Sequence, residues 1–122
     1  MKEQSTKDLF ERLNAIFSRT EEVAFAYLFG SFARGDDFPI SDIAVYLSRK
    51  ASLADELRLY SIISRELKHD NIDLIILNNT DNIILLDEIV RYGKVVCDRN
   101  PSLRESFELM VLHDAIPERC KN

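Results

Sequence analysis

Four residues in this 122-residue sequence have types and positions that suit phosphate and cation chemistry. Gly30 and Ser31 follow an apolar run, where glycine lets the backbone approach an anion and the serine hydroxyl can donate to phosphate oxygens. Asp42 begins a second apolar run, and Asp73 lies inside a third. A carboxylate in a buried strand must be paired, hydrogen-bonded or bound to a metal, because burying it alone costs several kcal/mol. The two acids are therefore candidate metal ligands.

Each of these signals also has a plain interpretation. Most Gly-Ser dipeptides are ordinary turns, and both aspartates could stand at strand ends in water. Arg34 follows Gly30 by four residues, and its side chain could reach the same anion. The residue types by themselves leave a nucleotide site and a set of surface turns equally open.

The spacing of these residues is more specific. Ten residues separate Ser31 from Asp42 in GSFARGDDFPISDIA, which resembles the Gly-Ser, ten residues, Asp-x-Asp signature of the polymerase-beta-like nucleotidyltransferase superfamily. The chain resembles in particular the minimal nucleotidyltransferase (MNT) domains of MntA-type antitoxins, which are encoded beside HEPT (HEPN-family) toxins. The likeness covers nearly the whole chain, because SDIAVYL, IDLIIL and RYGKVVCDRN follow in the order of that family.

This resemblance implies a fold, an activity and a set of roles. It implies a polymerase-beta-like nucleotidyltransferase fold and an antitoxin of a type VII-like pair that moves AMP from ATP onto a tyrosine of a HEPT ribonuclease toxin. Members hold two Mg²⁺ ions against the triphosphate of ATP. Carried over to this sequence, the phosphates would lie on Gly30, Ser31 and Arg34. Asp42 would be the first metal ligand, and Asp73 would be the third acid and the general base.

The sequence departs from the family pattern at Ala44, where the second Asp of Asp-x-Asp is missing. Either an Asp has been replaced in place, or two residues of a longer strand are missing between Ile43 and Ala44; a two-residue deletion keeps the same side chains facing the site. Both routes lose the bridging carboxylate, so we expect metal affinity and turnover to fall by orders of magnitude. Asp36 and Asp37 lie in the preceding turn and are poorly aimed to replace it.

Two other functions remain open. The missing acid favours a catalytically degenerate binding module that neutralises the same toxin by direct contact, as part of a hetero-oligomer. Transfer of a nucleotide onto a small molecule fits the same motif, but so short a chain has little left to build a second substrate pocket.

Composition and charge argue against several further classes. The net charge of −5 disfavours direct binding to nucleic acid, because that affinity needs clustered Lys and Arg. The sequence has neither the apolar core of a signal peptide nor an apolar run near the roughly 20 residues that span a bilayer. Cys97 and Cys120 form no disulfide or zinc pattern, and His69 and His113 lack partners at ligand spacing. We expect a cytoplasmic protein.

The remaining pattern predicts one domain over residues 1–122, with 117–122 as a frayed tail. Helix-like and strand-like segments alternate, which favours an α/β (α+β) fold with a small mixed β-sheet flanked by helices. The predicted strands are 23–30, 41–48, 71–77 and 94–97, and the predicted helices are 6–18, 52–68, a third between Thr80 and Gly93, and a fourth that begins at Asn100-Pro101.

Local signals predict the helix caps, the buried stripes and the facing of the acids. The expected caps are Ser5 with Asp8, Ser52 with Asp55, and Thr80. The expected buried stripes are Leu53, Leu57, Tyr60, Ile63 and Leu67, then Ile83, Ile84, Leu86, Ile89 and Val90, then Leu103, Phe107, Met110 and Val111. Alternation puts Asp42, Ala44 and Tyr46 on one face of their strand and places Asp73 among packed residues.

Overall fold

Four strands and four α-helices make up the computed structural model, which describes residues 2–29, 41–67 and 72–114. In chain order the elements are α1 (Lys2–Ser18), β1 (Val23–Phe29), β2 (Ser41–Leu47), α2 (Leu53–Leu67), β3 (Ile72–Ile76), a short 3₁₀ turn (Leu77–Asn79), α3 (Ile83–Tyr92), β4 (Lys94–Asp98) and α4 (Pro101–Asp114). The predicted class, a small mixed sheet flanked by helices, is confirmed.

The sheet has the strand order β3-β2-β1-β4. Strand β1 is antiparallel to both of its neighbours, whereas β2 and β3 are parallel. All seven residues of β1 are buried, as its unbroken apolar run predicts for a central strand. Strand β3 lies at an edge of the sheet, and this position exposes its one polar residue, Asp73.

Each face of the sheet carries its own core. Ile43, Val45 and Leu47 point to the face covered by α1 and α2, where they join one apolar cluster. Ala44 and Tyr46 point to the opposite face and join the cluster formed with α3 and α4. This is the predicted alternation, so Asp42 lies on the α3/α4 face.

Side chains satisfy the ends of several helices. The Ser52 backbone N–H donates to the Asp55 carboxylate at 2.9 Å and the Asp55 N–H donates back to the Ser52 hydroxyl at 3.2 Å, which confirms the predicted capping box. Arg99, on the turn after β4, donates to the carbonyls of Phe17, Ser18 and Thr20. Its charge thus stabilises the carboxyl end of α1, whose last turn has no basic residue.

Two predicted helix starts are wrong. Helix α1 begins at Lys2 rather than at residue 6, so Ser5 lies inside the helix; the preceding Lys, Glu and Gln are good helix formers and extend it. Helix α3 is capped by Asn82, whose side chain accepts from the Leu85 N–H at 3.2 Å, and not by Thr80. Asparagine is one of the strongest capping residues and stands one residue before the helix.

Gly93 ends α3 as predicted. Its N–H donates to the Ile89 carbonyl at 2.8 Å. A Cβ at position 93 would lie 2.5 Å from that carbonyl oxygen, so the close approach of the backbone requires glycine here.

Parts of the predicted apolar stripes face solvent. Leu53 is 70% exposed and Leu57 is 59% exposed, because α2 instead buries every fourth residue from Asp55 through Leu59 and Ile63 to Leu67. Because the first residue of that row is the acid Asp55, the sequence does not reveal which face of α2 is buried. Ile84 and Met110 are likewise exposed, at 79% and 53%.

No helix in the described part of the chain is long and apolar enough to cross a membrane.

Candidate active site

Asp42 and Asp73 are direct register partners in the parallel pairing of β2 with β3. Neighbouring strands lie about 4.8 Å apart, and register partners point to the same face of a sheet. Ile75, two residues after Asp73, packs against the α3/α4 cluster, which fixes that face as the one shared by both carboxylates. The convergence of the two acids, on which the nucleotidyltransferase interpretation depends, is therefore present.

The two acids differ in exposure. Asp42 is half-buried, whereas Asp73 is exposed. The residues around Asp73 are packed as expected, with Ile72 and Ile76 buried, but the edge strand leaves the Asp73 side chain itself open to solvent. The cost of burying a charge thus says little about Asp73, and its register with Asp42 is the stronger signal.

The proposed phosphate-binding residues Gly30, Ser31 and Arg34 lie outside the described residues, as do Asp36 and Asp37. Strand β1 reaches Phe29, which is the register partner of Asp42 on the other side of β2. The described strands therefore bring the chain beside Asp42 immediately before position 30.

Ala44 occupies a closed position. It is 0% exposed and is paired in register with Tyr27 on β1 and with Ile75 on β3. Its surroundings are the apolar and aromatic side chains of the α3/α4 cluster. Position 44 supplies no ligand, and a carboxylate placed there would lose its hydration within the apolar cluster.

The described acids fit one divalent cation and not a pair of ions. Asp42 and Asp73 offer carboxylate oxygens on one face, which is the donor type that Mg²⁺ prefers. Within residues 2–29, 41–67 and 72–114, no group of three or more His, Cys, Asp or Glu side chains could hold a metal ion. The two-ion set of the family is incomplete in this part of the chain.

A network of polar side chains that joins β1, β4 and α4 was not predicted from the sequence. The buried Tyr27 hydroxyl donates to the Glu108 carboxylate at 2.6 Å, and Arg104 donates both to Glu108 at 3.1 Å and to Asp98 at 2.8 Å. Burial, and then the hydrogen bond to Glu108, raise the pKa of Tyr27. This network of side chains connects α4 to β1, the strand that pairs with β2 at Ala44. Its sequence signal is weak, since Arg104 and Glu108 resemble any i, i+4 surface pair.

A cavity of about 330 Å³ on the same face was also missed. It lies between α4, the end of β2 and the turn after β3, with Tyr46 and Phe107 among its walls and Asn78, Thr80 and Ser106 as its polar groups. Its walls come from four separate segments, so no local pattern marks it.

Two residues with reactive or ligating side chains take no part in the site. Cys97 is buried in the core, as predicted, and burial raises the pKa of its thiol. His113 is exposed at the end of α4 and lies 3.6 Å from the Asp114 carboxylate. His69 and Cys120 lie outside the described residues.

Fold and acid placement together define a nucleotidyltransferase-type domain, in which two strand carboxylates face one another beside the end of a central strand. A family model described as "Polymerase beta, Nucleotidyltransferase" matches residues 11–102. The chain belongs to this family, and the predicted superfamily is confirmed. No curated protein matches the chain.

Solved structures agree on the fold. A toxin–antitoxin structure with AMP-PNP matches with a TM-score of 0.72 at 20% identity, covering 84% of this chain and 83% of the other. A structure of a tri-AMPylated Shewanella oneidensis HEPN toxin in complex with an MNT antitoxin matches at 0.64 and 20% identity, covering 92% and 84%. A MntA–HepT toxin–antitoxin structure matches at 0.67 and 19% identity, covering 87% and 83%. At these identities the matches establish a shared architecture.

Proposed function

We propose that this chain is the antitoxin of a toxin–antitoxin pair and acts as a protein adenylyltransferase that moves AMP from ATP onto a tyrosine of a HEPN-family toxin in the cytoplasm. The observation that carries the proposal is the register of Asp42 with Asp73 in a chain of the nucleotidyltransferase family. Two of the matching architectures support the choice of substrates, since one contains AMP-PNP and another contains an AMPylated toxin.

The exposed Asp73 suits the role of general base, because an incoming hydroxyl group of a partner can reach an edge strand. The tyrosine oxygen attacks the α-phosphorus of ATP, the bond from that phosphorus to the bridging oxygen of the β-phosphate breaks, and pyrophosphate leaves. The tyrosine proton passes to the Asp73 carboxylate. Gly30, Ser31 and Arg34 hold the phosphates in this scheme.

Asp42 and Asp73 are the residues that would hold a magnesium ion, which when bound neutralises phosphate charge in the transition state. The chain supplies two of the three acids of the family pattern, so turnover is expected to be weak. A half-buried Asp42 keeps one carboxylate at a fixed place on the sheet, and the exposed Asp73 gives the other access to the partner.

A second candidate function is neutralisation of the toxin by binding alone. Its specific support is Ala44, which is fully buried in the apolar α3/α4 cluster and supplies no carboxylate. On this alternative the chain keeps the fold and the partner of an antitoxin but not the chemistry.

Intact-mass measurement of the toxin separates the two functions. The proposed toxin partner is co-expressed with the wild-type chain, with Asp42→Asn and with Asp81→Asn, an exposed acid on the turn before α3, as the matched control. Transfer predicts a toxin that gains the mass of AMP units with the wild type and the control, but not with Asp42→Asn. A silenced toxin of unchanged mass would establish the binding function instead.

A further inference from the structure

We infer that the cavity beside Tyr46 is the subsite for the base of the nucleotide, and that it takes a neutral purine ring. This inference rests on the proposed function, because it assumes that the triphosphate lies at Asp42 and Asp73. It adds the part of the site that would select which nucleoside triphosphate is used.

Tyr46 follows Asp42 by four residues on the same strand, so the two side chains share a face. At about 3.3 Å per residue, the cavity wall at Tyr46 is about 13 Å from the carboxylate. An extended nucleoside triphosphate spans a similar distance between its phosphates and its base. The cavity therefore lies within reach of a nucleotide held by the acids.

The surface between the acids and the cavity is partly exposed along β3, whereas Ala44 on β2 is buried. On the α3/α4 face of β1, Phe25, Tyr27 and Phe29 are all buried, because α3 and α4 pack over that strand. On the β2–β3 half of the same face, Ile75 and Tyr46 are only half-buried. We call this half-face, from Asp42 and Asp73 past Ile75 to Tyr46, the β2–β3 trough. Its β3 side gives the sugar of the nucleotide a path past Ile75.

The walls of the cavity suit a flat, uncharged ring. Tyr46 and Phe107 contribute aromatic groups whose centres lie 5.4 Å apart, and one face of Tyr46 is already stacked on Phe25. Among the described residues that line the cavity, none carries a charge. Stacking on aromatic side chains is a general way to hold a base, and a phosphate or a metal ion would find no countercharge here.

Polar groups on the rim can bond the edge of a base. The Asn78 side chain donates to and accepts from the Leu47 backbone, which fixes its amide at the rim. The amide nitrogen and the amide oxygen of Asn78 can each form a further hydrogen bond, and the Thr80 and Ser106 hydroxyls also line the cavity. A cavity of about 330 Å³ is at the small end of the range for ligand sites, which suits one ring system and not a whole nucleotide.

The experiment follows Met110, which lines the cavity and is the one methionine besides Met1. The protein is labelled with ¹³C at its methionine methyl groups and titrated, with magnesium present, with AMP-PNP and separately with inorganic triphosphate. The inference predicts that AMP-PNP shifts the Met110 methyl signal through the ring current of the base and that triphosphate binds without this shift. Equal affinities and no Met110 shift would overturn the base subsite and leave the phosphate site standing.

Two variants test the same point through affinity. Ser106→Trp fills the cavity, and Ser102→Trp places the same exposed side chain one turn away on α4, outside the cavity lining. We expect Ser106→Trp to weaken AMP-PNP binding by about tenfold or more, the effect of one lost base-stacking contact, and to leave triphosphate binding unchanged. Ser102→Trp should change neither affinity.

Three other outcomes would count against these ideas in distinguishable ways. A wild-type chain that binds neither AMP-PNP nor triphosphate would overturn the proposed function as well as the subsite. Unchanged AMP-PNP affinity in Ser106→Trp would overturn the subsite alone. A Ser106→Trp chain that binds AMP-PNP normally but no longer associates with the co-expressed toxin would also overturn it, and would assign the cavity to a side chain of the protein partner.

Discussion

Ala44 lies directly across the β1–β2 pairing from Tyr27, and both side chains are buried, at 0% and 1% exposure. The position where the family carries its second acid is thus part of the core in this chain. A carboxylate restored at position 44 would therefore enter this core.

The change Ala44→Asp is expected to lower the free energy of unfolding by several kcal/mol, since the new carboxylate would be enclosed by apolar groups. It is not expected to raise ATP turnover. Thermal unfolding with and without magnesium measures the first point and ATP consumption measures the second, with Ala44→Asn as a control of similar size and no charge. A variant that magnesium stabilises strongly and that gains activity would show that position 44 still opens into the site.

Insertion of Asp-Ile between Ile43 and Ala44 tests the other origin of the missing acid. Two added residues keep every side chain on its face of the strand, so the core pairing is preserved while an acid is restored near the start of β2. We predict a larger gain in magnesium-dependent ATP consumption than Ala44→Asp gives. An insertion variant that folds but gains no activity would argue against a shortened strand.

The capping carboxylate of Asp55 makes stability depend on pH. Hydrogen bonds from Arg49 and from the Ser52 backbone and hydroxyl hold the pKa of Asp55 well below its usual value. A lowered pKa in the folded chain means that the stabilisation is present at neutral pH and is lost as the pH falls below about 4. Urea unfolding at several pH values should show a steeper acid loss in the wild type than in Asp55→Asn. Glu105→Gln, at an exposed position on α4, is the control and should behave like the wild type.

The hydrogen bond between Tyr27 and Glu108 makes stability depend on pH in the alkaline range. Because burial and Glu108 raise the pKa of Tyr27, the folded chain keeps the phenol protonated where the unfolded chain ionises, so stability falls as the pH rises above about 10. Tyr27→Phe should cost about 1–2 kcal/mol at neutral pH and should remove part of that alkaline loss. Tyr92→Phe, at a side chain that is 66% exposed, is the matched control. Equal alkaline curves for the wild type and Tyr27→Phe would contradict this role.

Cation binding should be limited to one ion per chain at this site. Titration with Mn²⁺, followed by its paramagnetic signal, is expected to give one site that Asp42→Asn and Asp73→Asn both weaken and that Asp81→Asn leaves unchanged. Asp73→Asn should not alter stability measurably, because its side chain is exposed. Two bound ions of similar affinity would mean that further ligands complete the set.

Sequence patterns predict the elements of this fold well, because they depend on local periodicity. The unbroken apolar run of β1, the alternation in β2 and the Ser52–Asp55 capping box all give the correct local structure. The phase of α2 could not be obtained in this way. Leucines occur in two competing rows, and only packing in the core selects the row of Leu59, Ile63 and Leu67.

The candidate site is predictable only as far as its spacing signature extends. The signature indicates Asp42, the resemblance to the family indicates Asp73, and their register follows from the pairing of two separate strands. The exposure of Asp73 depends on which strand forms the edge of the sheet, which no local pattern specifies. The closed position of Ala44 and the cavity at Tyr46 arise from packing of α3 and α4, so they emerge only from the assembled fold.

The most direct test is the mass of the toxin after incubation with purified chain, ATP and magnesium, compared among the wild type, Asp42→Asn, Asp73→Asn and Asp81→Asn. If the paired carboxylates carry out adenylyl transfer, the wild type and Asp81→Asn should add AMP slowly, and the two site variants should add none. Addition at the same rate by Asp42→Asn and Asp73→Asn would contradict the assignment of these two strand acids to the chemistry.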